Sequence, residues 1–373
     1  MNHTPLYALA KAYMQAGLDE IFSENDLICV VAEDGTPYYV SIAQNAFAAY
    51  RGEKGLTGYL ALSLEEESAS DLAFMDLQQA QECLLALLDA HSEDLEEQEL
   101  AQINESNVAF EEGSYPQFRS KLQYQYPWYL SEAEQRDLCL ILEAMLFAKT
   151  YFADYKKQSK HQSFSYWLDS LRLEESETHE YIPCLQKAGE DFTVTARVLQ
   201  DEAYGFSYPQ AYFTDEEKQL YYKRMKAKPG KVYYHAIGLL SEAMMPEKGE
   251  RPVFPIFSMV YDPQLHQILD VFLVEDYDEE HGKFVSRLLE LFEENGKPQA
   301  IHCFGKRTLP LLSKLGPQIG IMVVDGGENQ EMDAIIENMF EELSQVYDSH
   351  DHDHHHHEHG PDCSCHHHGD DQE

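Results

Sequence analysis

The hydrophobic positions in the first half of the chain predict a mixture of helices and strands. Apolar residues recur at helical spacing from Leu6 onward, and Thr4 is expected to cap that helix. The apolar runs 27–32 and 37–42 flank a short turn and predict a β-hairpin. Residues 131–134 form a capping box, which is expected to begin a central core helix.

In the second half, apolar runs of strand length alternate with helical patterns. Strands are expected at residues 232–240, 253–261, 267–274, 300–304 and 319–324, and helices from residues 278, 308 and 330. The order βββαβαβα predicts a mixed sheet with right-handed crossovers. This order is similar to that of the ribonuclease-H-like fold.

These patterns predict four segments. We expect an α+β domain at residues 1–155 and a mixed α/β domain at residues 231–347. Residues 156–230 are expected to connect them with strands and a basic helix. Residues 348–373 lack the apolar side chains that a core needs, and this predicts a disordered, metal-binding tail.

The formal net charge of −40 excludes some classes of partner. Affinity for phosphate groups and anionic lipids comes from clustered Lys and Arg, so we expect neither nucleic acid nor a membrane as partner. Residues 348–373 hold eight acids and no base, which leaves −32 on the remaining chain. A solvated acidic surface is the favoured interpretation, and a docking face for a basic protein partner is the alternative.

The chain also carries signs of its compartment. It has no apolar run of ~18 residues and no basic N-terminal region, so we expect neither a transmembrane helix nor a signal peptide. Five of the seven cysteines are dispersed among apolar residues and are predicted to be small buried side chains, not a disulfide framework. These five are Cys29, Cys83, Cys139, Cys184 and Cys303. Together these features predict a cytoplasmic protein.

Nuclease chemistry is not expected from the second half. Nucleases with a ribonuclease-H-like fold resemble one another in placing metal-binding carboxylates on the first and fourth strands. Here the predicted strands 232–240 and 300–304 contain no acid, and His302 and Cys303 stand in the fourth strand instead. Glu290, Asp325 and Asp333 remain, but acids are frequent throughout this chain.

The segment Gly305-Lys306-Arg307-Thr308 is similar to the end of a phosphate-binding loop. It lacks the preceding glycine at the required spacing, so a structural turn is favoured. Thr308 is expected to cap the short helix that follows.

The C-terminal residues carry the strongest chemical signal. Ten of the 18 histidines and two cysteines lie between residues 349 and 373, interleaved with carboxylates. Imidazole and thiolate are good ligands for nickel, zinc, copper and cobalt, and many combinations of three or four donors can converge on one ion. We therefore predict labile binding of several ions, with nickel or zinc favoured over copper and cobalt. The predicted ligands are His350, His352, His354, His355, His356, His357, His359, Cys363, Cys365, His366, His367 and His368.

Three stretches of the chain resemble a known bacterial family. They are PYYVSIAQNAFAAYRGEKGL from residue 37, YPQFRSKLQYQYPWYL from residue 115, and KPQAIHCFGKRTLPLLSKLGPQIGIMVVDGGE from residue 297. They are similar to a two-domain family catalogued only as domains of unknown function, and the resemblance implies two domains without implying an activity. The tail itself resembles the His-rich C-termini of nickel-handling accessory proteins and of a metallochaperone prolyl isomerase.

Three hypotheses follow from the sequence. The first is a non-enzymatic bacterial protein of the cytoplasm whose tail binds divalent transition metals for storage, buffering or delivery. The second is an interaction or adaptor protein with an acidic body and an incidental tail. The third is an enzyme of unknown class on the mixed α/β domain, which would require a pocket where His302, Asp325 and neighbouring carboxylates converge.

Overall fold

The computed structural model of the protein describes residues 3–64, 71–159, 164–173, 179–200, 206–245 and 249–351. The chain divides into two compact units, Met1–Asp325 and Gly326–Glu373. Two β-sheets lie within the first unit, and the second unit contains one described helix.

A seven-stranded sheet is built mainly from the first half of the chain. Its strands are β1 (Leu27–Val31), β2 (Pro37–Ala43), β3 (Ala46–Arg51), β4 (Cys83–Ala90), β5 (Tyr115–Lys121), β6 (His179–Ala188) and β7 (Asp191–Gln200). They are ordered β5-β4-β3-β2-β1-β6-β7, and every neighbouring pair is antiparallel except β1 and β6. The predicted hairpin is confirmed as β1 and β2. Strands β6 and β7, from the predicted connecting region, extend this sheet.

Seven helices belong to the described part of this half and of the connection that follows. They are α1 (Thr4–Ala16), α2 (Gly52–Leu64), α3 (Asp71–Gln79), α4 (Glu97–Ser106), α5 (Glu132–Gln158), α6 (Ser165–Leu171) and α7 (Glu216–Arg224). The prediction that Thr4 caps α1 is wrong by one position. His3 is the N-cap and already has helical backbone angles (φ −84°, ψ −6°), so Thr4 is the first helical residue.

Helix α5 forms the centre of the first hydrophobic core, as the capping box predicted. The backbone N–H of Ser131 donates to Glu134 Oε2 at 2.8 Å, and the Glu134 N–H donates to Ser131 Oγ at 3.3 Å. The helix buries Leu138, Ile141 and Met145 completely against this core.

One ion pair is buried near the C-terminal end of α5. Lys156 Nζ donates to Asp26 Oδ1, and the two side chains are 0% and 5% exposed. The ammonium group also lies 4.1 Å from the centroid of the Phe164 ring. Burial lowers the pKa of Lys156, and the Asp26 carboxylate opposes that effect.

A five-stranded sheet is built from the second half of the chain. Its strands are β8 (Val232–Leu239), β9 (Ile256–Asp262), β10 (Gln267–Val274), β11 (Ala300–Phe304) and β12 (Met322–Asp325). They are ordered β10-β9-β8-β11-β12; β9 is antiparallel to β8 and β10, while β11 is parallel to β8 and β12. This is the mixed sheet that the βββαβαβα pattern predicted, while the ribonuclease-H-like topology stays a prediction.

The helices of this half differ in detail from the sequence expectations. They are α8 (Tyr277–Asn295), α9 (Thr308–Leu312), α10 (Leu315–Ile319) and α11 (Gln330–Asp351). The strand predicted at 319–324 is confirmed as β12, but it begins three residues later because Ile319 ends α10. Its predicted burial is wrong, since β12 is an edge strand with Met322 63% exposed. Helix α11 ends at Asp351, so its last four residues lie in the segment predicted as a tail. No helix among the described residues is long and apolar enough to cross a membrane.

Candidate functional site

The predicted metal ligands lie almost entirely outside the described residues. The backbone of His350 belongs to the last turn of α11. The other eleven predicted ligands lie outside the described residues; they are His352, His354, His355, His356, His357, His359, Cys363, Cys365, His366, His367 and His368. Within the ranges that the structure describes, no group of three or more His, Cys, Asp or Glu side chains could hold a metal ion.

His302 and Asp325 lie on neighbouring strands of the second sheet. His302 is half-buried on β11, and its ring lies 5.4 Å from that of Tyr234. Asp325 is exposed at the end of β12, opposite Cys303 in the parallel register. Neither residue lines the cavity described below, so their positions do not support the third hypothesis.

A buried ion pair links Arg307, after the fourth strand of the second sheet in chain order, to Asp76 on helix α3. Arg307 follows β11 and is the N-cap of α9, whereas Asp76 lies on α3, which packs against β8 of the same sheet. Arg307 Nη1 donates to Asp76 Oδ2, and the side chains are 1% and 3% exposed. Burial raises the pKa of Asp76, and the guanidinium opposes that rise.

The turn before α9 is fixed by Thr308, although in a different way from the one predicted. Thr308 does not cap α9. Its Oγ1 accepts a hydrogen bond from the Ile237 N–H at 2.9 Å and donates to the Phe304 carbonyl at 2.5 Å. The hydroxyl therefore ties the turn to β8 and β11, and this holds Arg307 in place.

Three tyrosine rings surround the guanidinium. The Arg307 Cζ atom lies 4.8, 5.3 and 5.4 Å from the ring centroids of Tyr124, Tyr208 and Tyr277. These distances are within the range of cation–π attraction, which is strongest when the cation is desolvated. Burial raises the pKa of Tyr124 to about 12, although the positive charge of Arg307 opposes that shift.

Several polar atoms of the pair have no partner among the described residues. Arg307 Nε and Nη2 are buried without an acceptor, and Asp76 Oδ1 is buried without a donor. A buried polar atom without a partner costs ~1–3 kcal/mol, and more when the group is charged. Native proteins contain few such atoms, so each needs an explanation.

Arg307 also lines a cavity of about 470 Å³. Helix α2, the segment 123–125, the segment 206–208, Val253 and the beginning of α8 form the rest of its wall. Four acids, Glu53, Glu275, Asp276 and Asp278, share the lining with two cations, Lys54 and Arg307. The cavity is thus polar, partly aromatic and rich in negative charge.

Sequence reasoning did not find this site. The segment 305–308 is similar only to the end of a phosphate-binding loop, and Asp76, the partner of Arg307, lies 231 residues away. Tyr124 belongs to an aromatic-rich stretch that is typical of packing between elements. No local spacing links these positions, because the fold alone brings them together.

Two of the dispersed cysteines also meet in the fold. Cys29 and Cys184 are partners in the parallel register of β1 and β6, and both are buried. A hydrogen bond with Cys29, aided by the charge of Arg197, lowers the pKa of Cys184 to about 7. The prediction of burial is confirmed for Cys83 and Cys303 as well, whereas Cys139 is half-buried.

Two family models match the chain. Residues 4–168 match the Domain of unknown function (DUF7309), and residues 221–340 match the Domain of unknown function (DUF6930). No curated protein and no solved structure matches the chain. The chain therefore carries two domains of unknown function, in agreement with the resemblance of its sequence to a family catalogued only in those terms.

Proposed function

We propose that this protein binds divalent transition metals through its C-terminal tail and has no enzymatic role. The proposal rests on one observation, the ten histidines and two cysteines between residues 349 and 373. The protein would store, buffer or deliver nickel or zinc in a bacterial cytoplasm. Copper and cobalt are further metal ions that the same donors could bind.

The composition of the tail supports labile binding. A metal ion that takes three or four protein ligands would leave room for about three or four ions on twelve donors. The donors occur in runs, so several neighbouring sets can serve the same ion, and exchange between sets lowers the barrier to release. The interleaved carboxylates raise the local concentration of cations and supply additional oxygen ligands.

The described residues make this proposal easy to test. They contain no cluster of three or more metal donors, so the tail and the folded residues should differ strongly in metal binding. Equilibrium dialysis against nickel and against zinc, with the intact chain, measures the number of ions bound. The decisive variant has the ten tail histidines replaced by serine, which keeps the length and the acidic residues.

A matched control replaces histidines of the body. His91 lies exposed beside Glu112, and His281 lies on α8. The double variant His91→Gln, His281→Gln should bind as many ions as the unaltered chain, whereas the tail variant should lose most of them. Binding should also weaken below pH ~6, because the imidazoles become protonated. A tail variant that binds as many ions as the intact chain would contradict the proposal.

A further inference from the structure

The unpartnered edge of Arg307 points to a ligand. Nε and Nη2 are the two nitrogens on one side of the guanidinium, and both lack an acceptor among the described residues while Nη1 binds Asp76. Two parallel N–H groups on one edge match the two oxygens of a carboxylate or a phosphate group. Arg307 lines the cavity, and tyrosine rings surround its buried nitrogens. A small displacement of one of these rings would let such a group inside the cavity satisfy both nitrogens.

The charge of the cavity decides between these anions. Its four carboxylates outnumber its two cations, and Asp76 already pairs with Arg307 through Nη1. A phosphate dianion would meet a net negative environment, and so would a dicarboxylate. A single carboxylate that is linked to a positive group avoids this repulsion, because the positive group can face the acids.

The rim offers a place for that positive group. Asp278 lies in the first turn of α8, is exposed, and lines the cavity with Glu275 and Asp276. Asp276 is already engaged in capping the helix, since it accepts the Glu279 N–H at 3.0 Å. Asp278 raises and Arg307 lowers the pKa of both Tyr124 and Tyr277, so the two charged groups lie near the same pair of aromatic rings.

We propose that this cavity binds a small zwitterion of the α-amino acid type. Its carboxylate would accept hydrogen bonds from Arg307 Nε and Nη2, and its ammonium group would face Asp278 and the neighbouring acids. The tyrosine rings would cover its carbon atoms and attract its positive charge. A volume of about 470 Å³ is toward the small end of ligand cavities and suits a ligand of this size.

Isothermal titration calorimetry with free amino acids tests the proposal. The intact chain is first stripped of metal with a chelator that is then dialysed away, because amino acids also bind metal ions. The probes are the twenty protein L-amino acids, with acetate, methylammonium and inorganic phosphate as controls that carry charge of one sign only. At least one amino acid should bind, and more tightly than any of the three controls.

Two variants and one control locate the binding. Arg307→Lys keeps the charge but removes the two-nitrogen edge, so affinity for the amino acid should fall roughly 10- to 100-fold. Asp278→Asn should weaken the amino acid about 2- to 10-fold without weakening acetate, because only the ammonium group is affected. Glu279→Gln, next to it on the helix but outside the cavity lining, should change neither affinity.

The exposed position of Asp278 keeps the test valid even if Arg307→Lys does not fold. The proposal is overturned if no amino acid binds, if any of the three controls binds as tightly as the best amino acid, or if Asp278→Asn and Glu279→Gln behave alike. Its failure would be independent of the metal proposal, since the protein in this experiment carries no metal.

Discussion

The buried pair of Arg307 and Asp76 predicts an asymmetric loss of stability when either partner is removed. Breaking a buried ion pair typically costs ~3–5 kcal/mol, because one charge is left without compensation. Asp76→Leu would leave a guanidinium that cannot lose its proton and has no described acceptor on any of its nitrogens. We expect this variant to lose ~4–5 kcal/mol, a large part of the ~5–15 kcal/mol of a typical protein.

Arg307→Met should cost less for two reasons. It removes the two unpartnered nitrogens together with the charge, and it leaves a carboxyl group that can take up a proton. The pKa of Asp76 is already raised by burial and would rise further without the guanidinium. A carboxyl whose folded pKa exceeds its unfolded pKa favours the folded state at low pH, so the deficit of Arg307→Met should shrink as pH falls. The double variant should be more stable than Asp76→Leu.

Urea unfolding followed by far-UV circular dichroism measures these differences, with the slope m checked for constancy. Glu290→Gln is the matched control, since Glu290 pairs with Arg287 at 3.5 Å on the exposed face of α8. It should change stability by no more than ~0.5 kcal/mol. The reasoning would be refuted if Asp76→Leu cost no more than this control, or if Arg307→Met showed no recovery toward low pH.

Three further predictions follow from other parts of the fold. Lys156→Ala should lower the free energy of unfolding in urea by ~3–5 kcal/mol, because it leaves the buried Asp26 carboxylate without its partner. The control Lys157→Ala removes a side chain that is 66% exposed and should change stability by less than ~0.5 kcal/mol. Equal effects of the two variants would contradict the pairing. Gly55→Ala should destabilise the protein by ~1–3 kcal/mol, because the added Cβ would lie 2.5 Å from the Glu82 carbonyl oxygen and 2.9 Å from the Tyr50 carbonyl carbon. Gly282→Ala, which has open space in a helix interior, should stabilise it by ~0.5–1 kcal/mol in thermal unfolding. A stability change of the same sign in both variants would count against the packing around Gly55. Burial lowers the pKa of His235 to about 3, so only the unfolded chain takes up a proton at this residue as pH falls below ~6.5. The stability advantage of the unaltered protein over His235→Gln should therefore shrink by up to ~1.4 kcal/mol per pH unit. A constant difference between the two from pH ~6.5 to ~4.5 in urea unfolding would refute this.

Features that depend on neighbouring residues were predictable from the sequence. The hairpin of β1 and β2 and the capping box of Ser131 and Glu134 both arise from contacts within a few residues. The element order of the second sheet was also predictable, because strand and helix periods differ along the chain. The error at Ile319 has a local cause as well, since an apolar run of that length is compatible with either a strand or a helix end.

Features that depend on distant pairing were not predictable. The parallel contact of β1 with β6 brings Cys29 beside Cys184, and no spacing between them indicates it. The partner of Arg307 is one acid among 67 in the chain. Composition can say that acids are abundant, but only the packing of α3 against the second sheet singles out Asp76.

Negative charge connects the two proposed binding sites. At the level of composition it disfavours nucleic acid and anionic membranes, because these partners need clusters of Lys and Arg. In the tail, carboxylates among the histidines would concentrate divalent cations. In the cavity, four carboxylates around one available guanidinium edge would reject dianions and admit a carboxylate only when an ammonium group accompanies it. The excess of acids would thus favour positively charged ligand groups at both places, through donors adjacent in sequence in the tail and through residues brought together by the fold in the cavity.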